Sequence, residues 1–241
     1  MSHVPNVFSP EGTALIDRTV GELVAERPGR SRVFQGLGMD FCCQGNKTLA
    51  QACEKKGLKP EFVAQLLDEE GKGKADEGDN PASLPPAELC SYIVSTHHQF
   101  LRDELPRLFA MSQRVAHVHG GHTPSLVEVF EVFAGLAKEL EDHIGKEEKV
   151  LFPAVENLAS AEKAGQVSLN APVEAMLREH DDAGEALAKL RELTNGFTPP
   201  PDACNTYRAL FAGLADLEED LHKHIHLENS VLFPQALALA S

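Results

Sequence analysis

Residues 143–153 read HIGKEEKVLFP, and 81 residues later residues 224–234 read HIHLENSVLFP. Each copy sets a histidine four residues before a glutamate, His143 with Glu147 and His224 with Glu228, and closes on Val-Leu-Phe-Pro. Residues four apart on a helix are neighbours, about 6 Å from one another, so one helix can offer a terminal and a bridging metal ligand. The repeat reaches further upstream. His98 precedes His143 by 45 residues and His180 precedes His224 by 44. Leu105 and Leu108 follow His98 at the same offsets at which Leu187 and Leu190 follow His180. Each half therefore reads as a helical hairpin with His on its first helix and His-x-x-x-Glu on its second.

The phase says where these groups point. Leu214, Leu217, Leu221, His224, Glu228 and Val231 step by three or four along one helical stripe, the core face. Leu136, Leu140, His143, Glu147 and Val150 form the equivalent stripe, and His98 lies on that of Leu101, Leu105 and Leu108. Four histidines and two carboxylates thus enter an apolar interior. An uncompensated buried carboxylate costs on the order of several kcal/mol, and a metal removes that cost. Imidazole with carboxylate suits iron, manganese or zinc, and two bridging carboxylates favour a pair of ions. One His-x-x-x-Glu arises by chance in many helices, and a lone core histidine is usually just hydrogen-bonded. Two copies with matched upstream histidines point to a metal site.

Such a constellation needs four long helices. Periodicity predicts them over roughly 86–118, 124–159, 169–194 and 203–238, broken at Gly120-Gly121, Gly165 and Asn195–Pro201. No segment alternates with period two, so the expected fold is all-α, an up-down four-helix bundle. His98 lies 22 residues before Gly120 and His143 lies 22 after Gly121, which sets them level in an antiparallel pair. In the second hairpin His180 is 15 residues before Asn195 and His224 is 22 after Asp202, so that connection should contain extended chain. Upstream, Thr19 opens a short helix, Pro28-Gly29 breaks it, and a second helical stretch ends near Gly36 or Gly38. TLAQACEKKG and KPEFVAQLLDEE supply two more, with the turn-like MDFCCQGN before them. The Gly-, Pro- and charge-rich stretch after residue 70 reads as a linker. The expected organisation is a small helical domain over 1–70, a flexible linker over 71–86 and the bundle over 87–241.

Composition narrows the partners. Acidic residues outnumber basic ones 37 to 22, a formal net charge of −15, which repels nucleic acid and anionic membrane. No apolar run approaches the roughly 18 residues of a spanning helix, and the amino terminus lacks a signal-peptide pattern. Five cysteines, an odd number with two adjacent, fit reduced thiols in a cytoplasm better than a secreted disulfide framework.

Other residues are weighed on the same terms. His97, His222 and His226 flank ligand positions and are expected to face solvent or support a ligand. His117, His119 and His122 surround a Gly-Gly turn and read as a solvated loop. Cys53, Cys90 and Cys204 read as structural residues on helical faces. Cys42 and Cys43 can be read as buried small residues; being adjacent they strain to form a mutual disulfide, yet both can act as thiolates toward a metal or an exchange partner.

The phased set His98, His143, Glu147, His180, His224 and Glu228 resembles the hemerythrin-like domain through both HxxxE-x-x-x-LFP motifs. Oxygen-carrying hemerythrins use five histidines. Four well-phased ones resemble instead the iron-sulfur cluster repair di-iron proteins, as does MDFCCQGNKTLAQAC (39–53), which is similar to the short Cys-Cys domain preceding the bundle in that family. The resemblance implies two iron ions in an oxo- and carboxylate-bridged centre, with Cys42 and Cys43 handling iron or redox exchange. It also implies a role in restoring iron-sulfur clusters damaged by nitric oxide or peroxide, with damaged iron-sulfur proteins as partners and a homodimer as an admissible assembly. A nitric oxide or oxygen sink or sensor, or a nitric oxide reductase, is the alternative, because vacant positions on ferrous iron bind either gas.

Overall fold

The computed structural model describes residues 15–70, 80–160 and 168–240. These are helical, and the only β-type pairing among them is an isolated bridge between Thr19 and Thr48. Contacts divide the chain into two units, Met1–Leu84 with His226–Val231, and Pro85–Ile225 with Leu232–Ser241.

The first unit contains α1 (Val20–Glu26), α2 (Arg30–Gly36), α3 (Leu49–Lys56) and α4 (Pro60–Glu70). Thr19 and Glu22 close a capping box on α1, and Thr48 and Gln51 close one on α3. Each reciprocal pair satisfies two backbone N–H groups that a helix start leaves without partners. α3 ends at Gly57, whose φ of 67° is the left-handed cap that glycine adopts without strain. Leu23, Phe34, Leu49, Val63 and Leu67 are fully buried and make this unit's core. Of the expected linker, residues 71–79 lie outside the described residues. Asn80 then caps a short turn, Pro81–Ser83, and its side-chain amide donates to the carbonyl of Ala25 at 2.8 Å.

The bundle helices follow α5 (Pro86–Ile93) with α6 (Gln99–His119), α7 (Ser125–Lys146) with α8 (Phe152–Ala159), α9 (Asn170–Leu193), and α10 (Asn205–Leu227) with α11 (Phe233–Leu239). Every end falls within two residues of the periodicity-based boundaries. α6 packs on α7, and α7 on α9. Leu101, Leu105, Phe133, Leu140, Leu187, Leu214 and Leu221 join in one buried cluster drawn from all four helices. Each such side chain stabilises the bundle by roughly 1.5–3 kcal/mol relative to exposure. The connection from α9 to α10 carries three consecutive positive φ values, at Asn195, Gly196 and Phe197, and residues 198–204 are non-helical, with a turn at 201–202, before α10 begins.

Three of the bundle's four rods are not continuous α-helix. π turns interrupt them at Val94–His98, Glu147–Leu151 and Glu228–Leu232. A π turn takes one extra residue, so the face count slips by one position beyond it. Val150, expected on the core stripe, is 62% exposed, and Leu151 is buried in its place. In the other copy Val231 and Leu232 are both buried.

Candidate metal centre

The π turns fall on the donors. His98 closes the first, Glu147 opens the second and Glu228 opens the third, while His180 rides on the uninterrupted α9. Pro153 and Pro234 sit in the first turn of α8 and α11, just past a π turn. A helix whose ladder is already opened there accommodates a residue with no N–H. The phenylalanine before each proline covers a donor ring. Phe152 stacks on His98 with centroids 5.6 Å apart, and Phe233 stacks on His180 at 5.9 Å. The repeated Leu-Phe-Pro therefore belongs to the site as much as the His-x-x-x-Glu before it.

All six donors are buried, His98, Glu147 and Glu228 completely. They form two groups that could each hold a metal ion: His98, His224, Glu147 and Glu228, and His143, His180, Glu147 and Glu228. Within each group the donor atoms lie within 4.8 Å of one another. Both carboxylates belong to both groups. The histidines pair across hairpins rather than within them, His98 with His224 at 5.0 Å between ring centroids and His143 with His180 at 4.9 Å.

Outer carboxylates set the tautomers. Nδ1 of His98 is 2.7 Å from Oε1 of Glu148, and Nδ1 of His143 is 2.9 Å from Oε2 of Glu179. A carboxylate only accepts, so Nδ1 carries the proton and Nε2 turns its lone pair inward. Those Nε2 atoms lie 3.3 Å and 3.4 Å from the same Glu147 oxygen, and Nε2 of His143 is 3.1 Å from Nε2 of His180. Lone pairs and a carboxylate converging in a buried interior make a site that could hold metal. Imidazole with carboxylate is a donor set that suits a divalent ion such as iron, manganese or zinc.

The outer carboxylates are themselves held. Arg102 donates to Glu148 at 2.6 Å and Lys146 to Glu179 at 2.6 Å. Partial burial would raise both carboxyls. The hydrogen bonds from Arg102 and His98, and from Lys146 and His143, outweigh it and keep them below the usual range. His97 is buried, lies parallel to His224 and places Nδ1 2.9 Å from Oδ1 of Asp220. A cavity of about 220 Å³ reaches His143, His180 and His224 past Glu139, Asp142 and Lys146.

Elsewhere the placements differ from expectation in three respects. His226, expected to face solvent or support a ligand, is 4% exposed and turns to the first unit. It meets Phe41 edge-on and hydrogen-bonds its backbone, and burial lowers its pKa to about 4. Cys204 is exposed and precedes α10 instead of lying on it, with its sulfur 3.4 Å from Nε2 of His119. His117 and His119 lie in the last turn of α6 instead of a loop, the first exposed and the second half-buried, and only His122 sits exposed in the turn beyond. Cys53 and Cys90 are buried within helices.

Cys42 and Cys43 are not in a disulfide; their sulfurs are 3.7 Å apart. Oδ1 of Asp40 accepts the backbone N–H groups of Cys42 at 3.0 Å and Cys43 at 2.9 Å, and lies 3.3 Å from the Cys42 sulfur. The hydrogen bond with Cys43, burial, and the charges of Cys43 and Asp40 push the Cys42 thiol well up. Asn229 donates to the Cys42 carbonyl at 3.1 Å.

Residues 91–236 match the hemerythrin HHE cation binding domain, and residues 16–70 match a domain of unknown function, DUF542. The chain is 40% identical over 221 residues to the iron-sulfur cluster repair protein YtfE of Edwardsiella ictaluri, covering 92% of this chain and 97% of that one. It is 38% identical to the protein of the same name in Pectobacterium atrosepticum and 36% to that of Escherichia coli O17:K52:H18, each over 222 residues, 92% of this chain and 97% of the relative. The chain belongs to the YtfE family of iron-sulfur cluster repair proteins. All six converging donors of this YtfE-family chain lie inside the matched cation binding domain, and Asp40, Cys42 and Cys43 lie inside the other matched domain. Among the described residues, no helix is long and apolar enough to cross a membrane.

Sequence reasoning missed Glu148, Glu179 and Asp220, which orient rings on other helices. Glu148 adjoins Glu147, and Glu179 adjoins His180. A carboxylate beside a donor was the available signal.

Proposed function

We propose that this chain is a cytoplasmic di-iron protein that helps restore iron-sulfur clusters damaged by nitrosative or oxidative stress. The observation that carries the reading is the sharing of Glu147 and Glu228 between two donor groups. His98 and His224 would hold one iron, His143 and His180 the other, and the two carboxylates would bridge them. The irons, when bound, supply redox chemistry and open coordination positions. The chain's residues do the rest. Glu148 and Glu179 keep the Nε2 lone pairs inward, Phe152 and Phe233 exclude water from the rings, and the apolar stripes hold the donors rigid. In this reading residues 1–70 form the Cys-Cys domain, 71–86 the linker and 87–241 the di-iron bundle. Cys42 and Cys43 handle iron or exchange at a damaged iron-sulfur partner.

The test is anaerobic reactivation of a nitric oxide-damaged cluster enzyme by the iron-loaded chain. Recovery of activity with wild type, and its loss in Cys42→Ser/Cys43→Ser at unchanged iron content, is the expected result. Reactivation equal to that of free ferrous iron alone would reject repair.

The cavity beside His143 and His180 favours a second reading, a binder or reductase of nitric oxide. Titration of the reduced protein with nitric oxide separates the two. Uptake without product marks a sink, and nitrous oxide marks a reductase.

A further inference from the structure

Outside the bundle, one more group of donor atoms among the described residues comes together within 4.8 Å: Asp40, Cys42 and Cys43. Its dimensions are informative. A tetrahedral ion with metal–sulfur bonds of about 2.3 Å separates its two sulfurs by about 3.8 Å, and sulfur from an oxygen at about 2.0 Å by about 3.5 Å. The Cys42 and Cys43 sulfurs are 3.7 Å apart, and the Cys42 sulfur is 3.3 Å from Asp40 Oδ1. The two thiols thus already span one edge of a coordination tetrahedron and the Asp40 carboxylate lies near a third corner.

The backbone holds that arrangement. The two N–H bonds to Asp40 Oδ1 fix the carboxylate over the turn, and the Asn229 amide pins the Cys42 carbonyl. The cluster is buried on one side and open on the other, with Cys42 buried, Cys43 intermediate and Asp40 exposed. Three protein ligands with one open face are the arrangement of an exchanging site. A structural site closes with four.

We propose that Asp40, Cys42 and Cys43 form a second, three-ligand site for one thiophilic divalent cation. Binding replaces the two thiol protons, which leave to solvent, with two metal–sulfur bonds, so charge and atoms balance without any redox change. The fourth position is left to water or to a ligand from a partner. This gives a specific form to the role that the repair reading assigns the two cysteines, with ferrous iron as the transient cargo.

The test uses the full chain, iron-loaded, reduced and anaerobic, in a Cys204→Ser background so that the exposed thiol contributes nothing, titrated with Co²⁺. The bundle donors include no sulfur, so a thiolate-to-cobalt charge-transfer band reports on this cluster alone. One equivalent of Co²⁺ should develop the band, and Cys42→Ser/Cys43→Ser should abolish it. Asp40→Asn keeps an oxygen for the two N–H groups but removes the charge. It should weaken binding by about tenfold or more with helix content unchanged. Absence of the band at saturating Co²⁺, or an Asp40→Asn titration indistinguishable from the parent, overturns the site. If the band forms but no damaged enzyme is reactivated, the site stands and the repair reading falls. Reactivation without the band gives the reverse.

Discussion

His97 lies flat against His224, the two rings 1° from parallel with centroids 5.3 Å apart, while Asp220 holds its Nδ1 at 2.9 Å. The histidine next to one donor on the first rod is thus a wall for a donor on the fourth. His97→Ala should keep the iron stoichiometry but weaken retention by roughly 10- to 100-fold, because His224 loses its orienting surface. His98→Ala and His224→Ala should lose iron outright. Elemental analysis followed by chelator competition separates these outcomes, and equal iron loss from His97→Ala and His98→Ala would refute the assignment.

The Glu148 carboxylate should act through the His98 tautomer rather than through bulk charge. Glu148→Gln still presents an oxygen to Nδ1–H and should retain most iron. Glu148→Ala frees the ring and should weaken metal affinity by about 10- to 100-fold. Binding isotherms of the two variants make the comparison. Similar losses in both would mean that the negative charge, not the hydrogen bond, matters.

The slipped face count beyond Glu147 is open to a stability measurement. Leu151→Ala should cost about 2–5 kcal/mol and Val150→Ala under about 0.5 kcal/mol, because only the first leaves a cavity. Denaturant unfolding of the iron-loaded protein reads both. A larger loss at Val150 would show that the rod continues as regular α-helix.

Removing the ions should lower the unfolding temperature, since ligands that bind only the folded state stabilise it by mass action. Restoring ferrous iron should recover it, with the midpoint rising as free iron is increased. An unfolding temperature indifferent to iron would contradict the convergence of buried donors on metal.

Much of this was legible in the chain because it depends on local spacing. His143 and Glu147 share a face wherever a helix forms, and Thr19 and Thr48 stand directly before the helices they cap. Helix ends followed from glycine and the apolar period. The pairing of His98 with His224 was not legible, since it depends on which rods lie side by side, and neither were the clamps from Glu179 and Asp220. The π turns escaped for another reason. Nothing in the composition of Glu147–Leu151 opposes an ordinary α-helix, so an extra residue there shows only in the backbone. That is why Val150 was expected on the inner stripe.

Each π turn is, in effect, an insertion that a helix has absorbed without breaking. In the two copies that end in Leu-Phe-Pro, the histidine before the turn and the phenylalanine after it are read in two different frames, and the surplus residue joins them. Taking out one residue, such as Lys149 or Ser230, would leave a perfectly good α-helix by every local measure. It would also swing everything beyond the deletion by about 100°, carrying Phe152 off His98 or Phe233 off His180. The chain would remain a helical bundle and lose the roof over its donors. In this fold, a gap of one in the alignment of two related sequences is a change of chemistry.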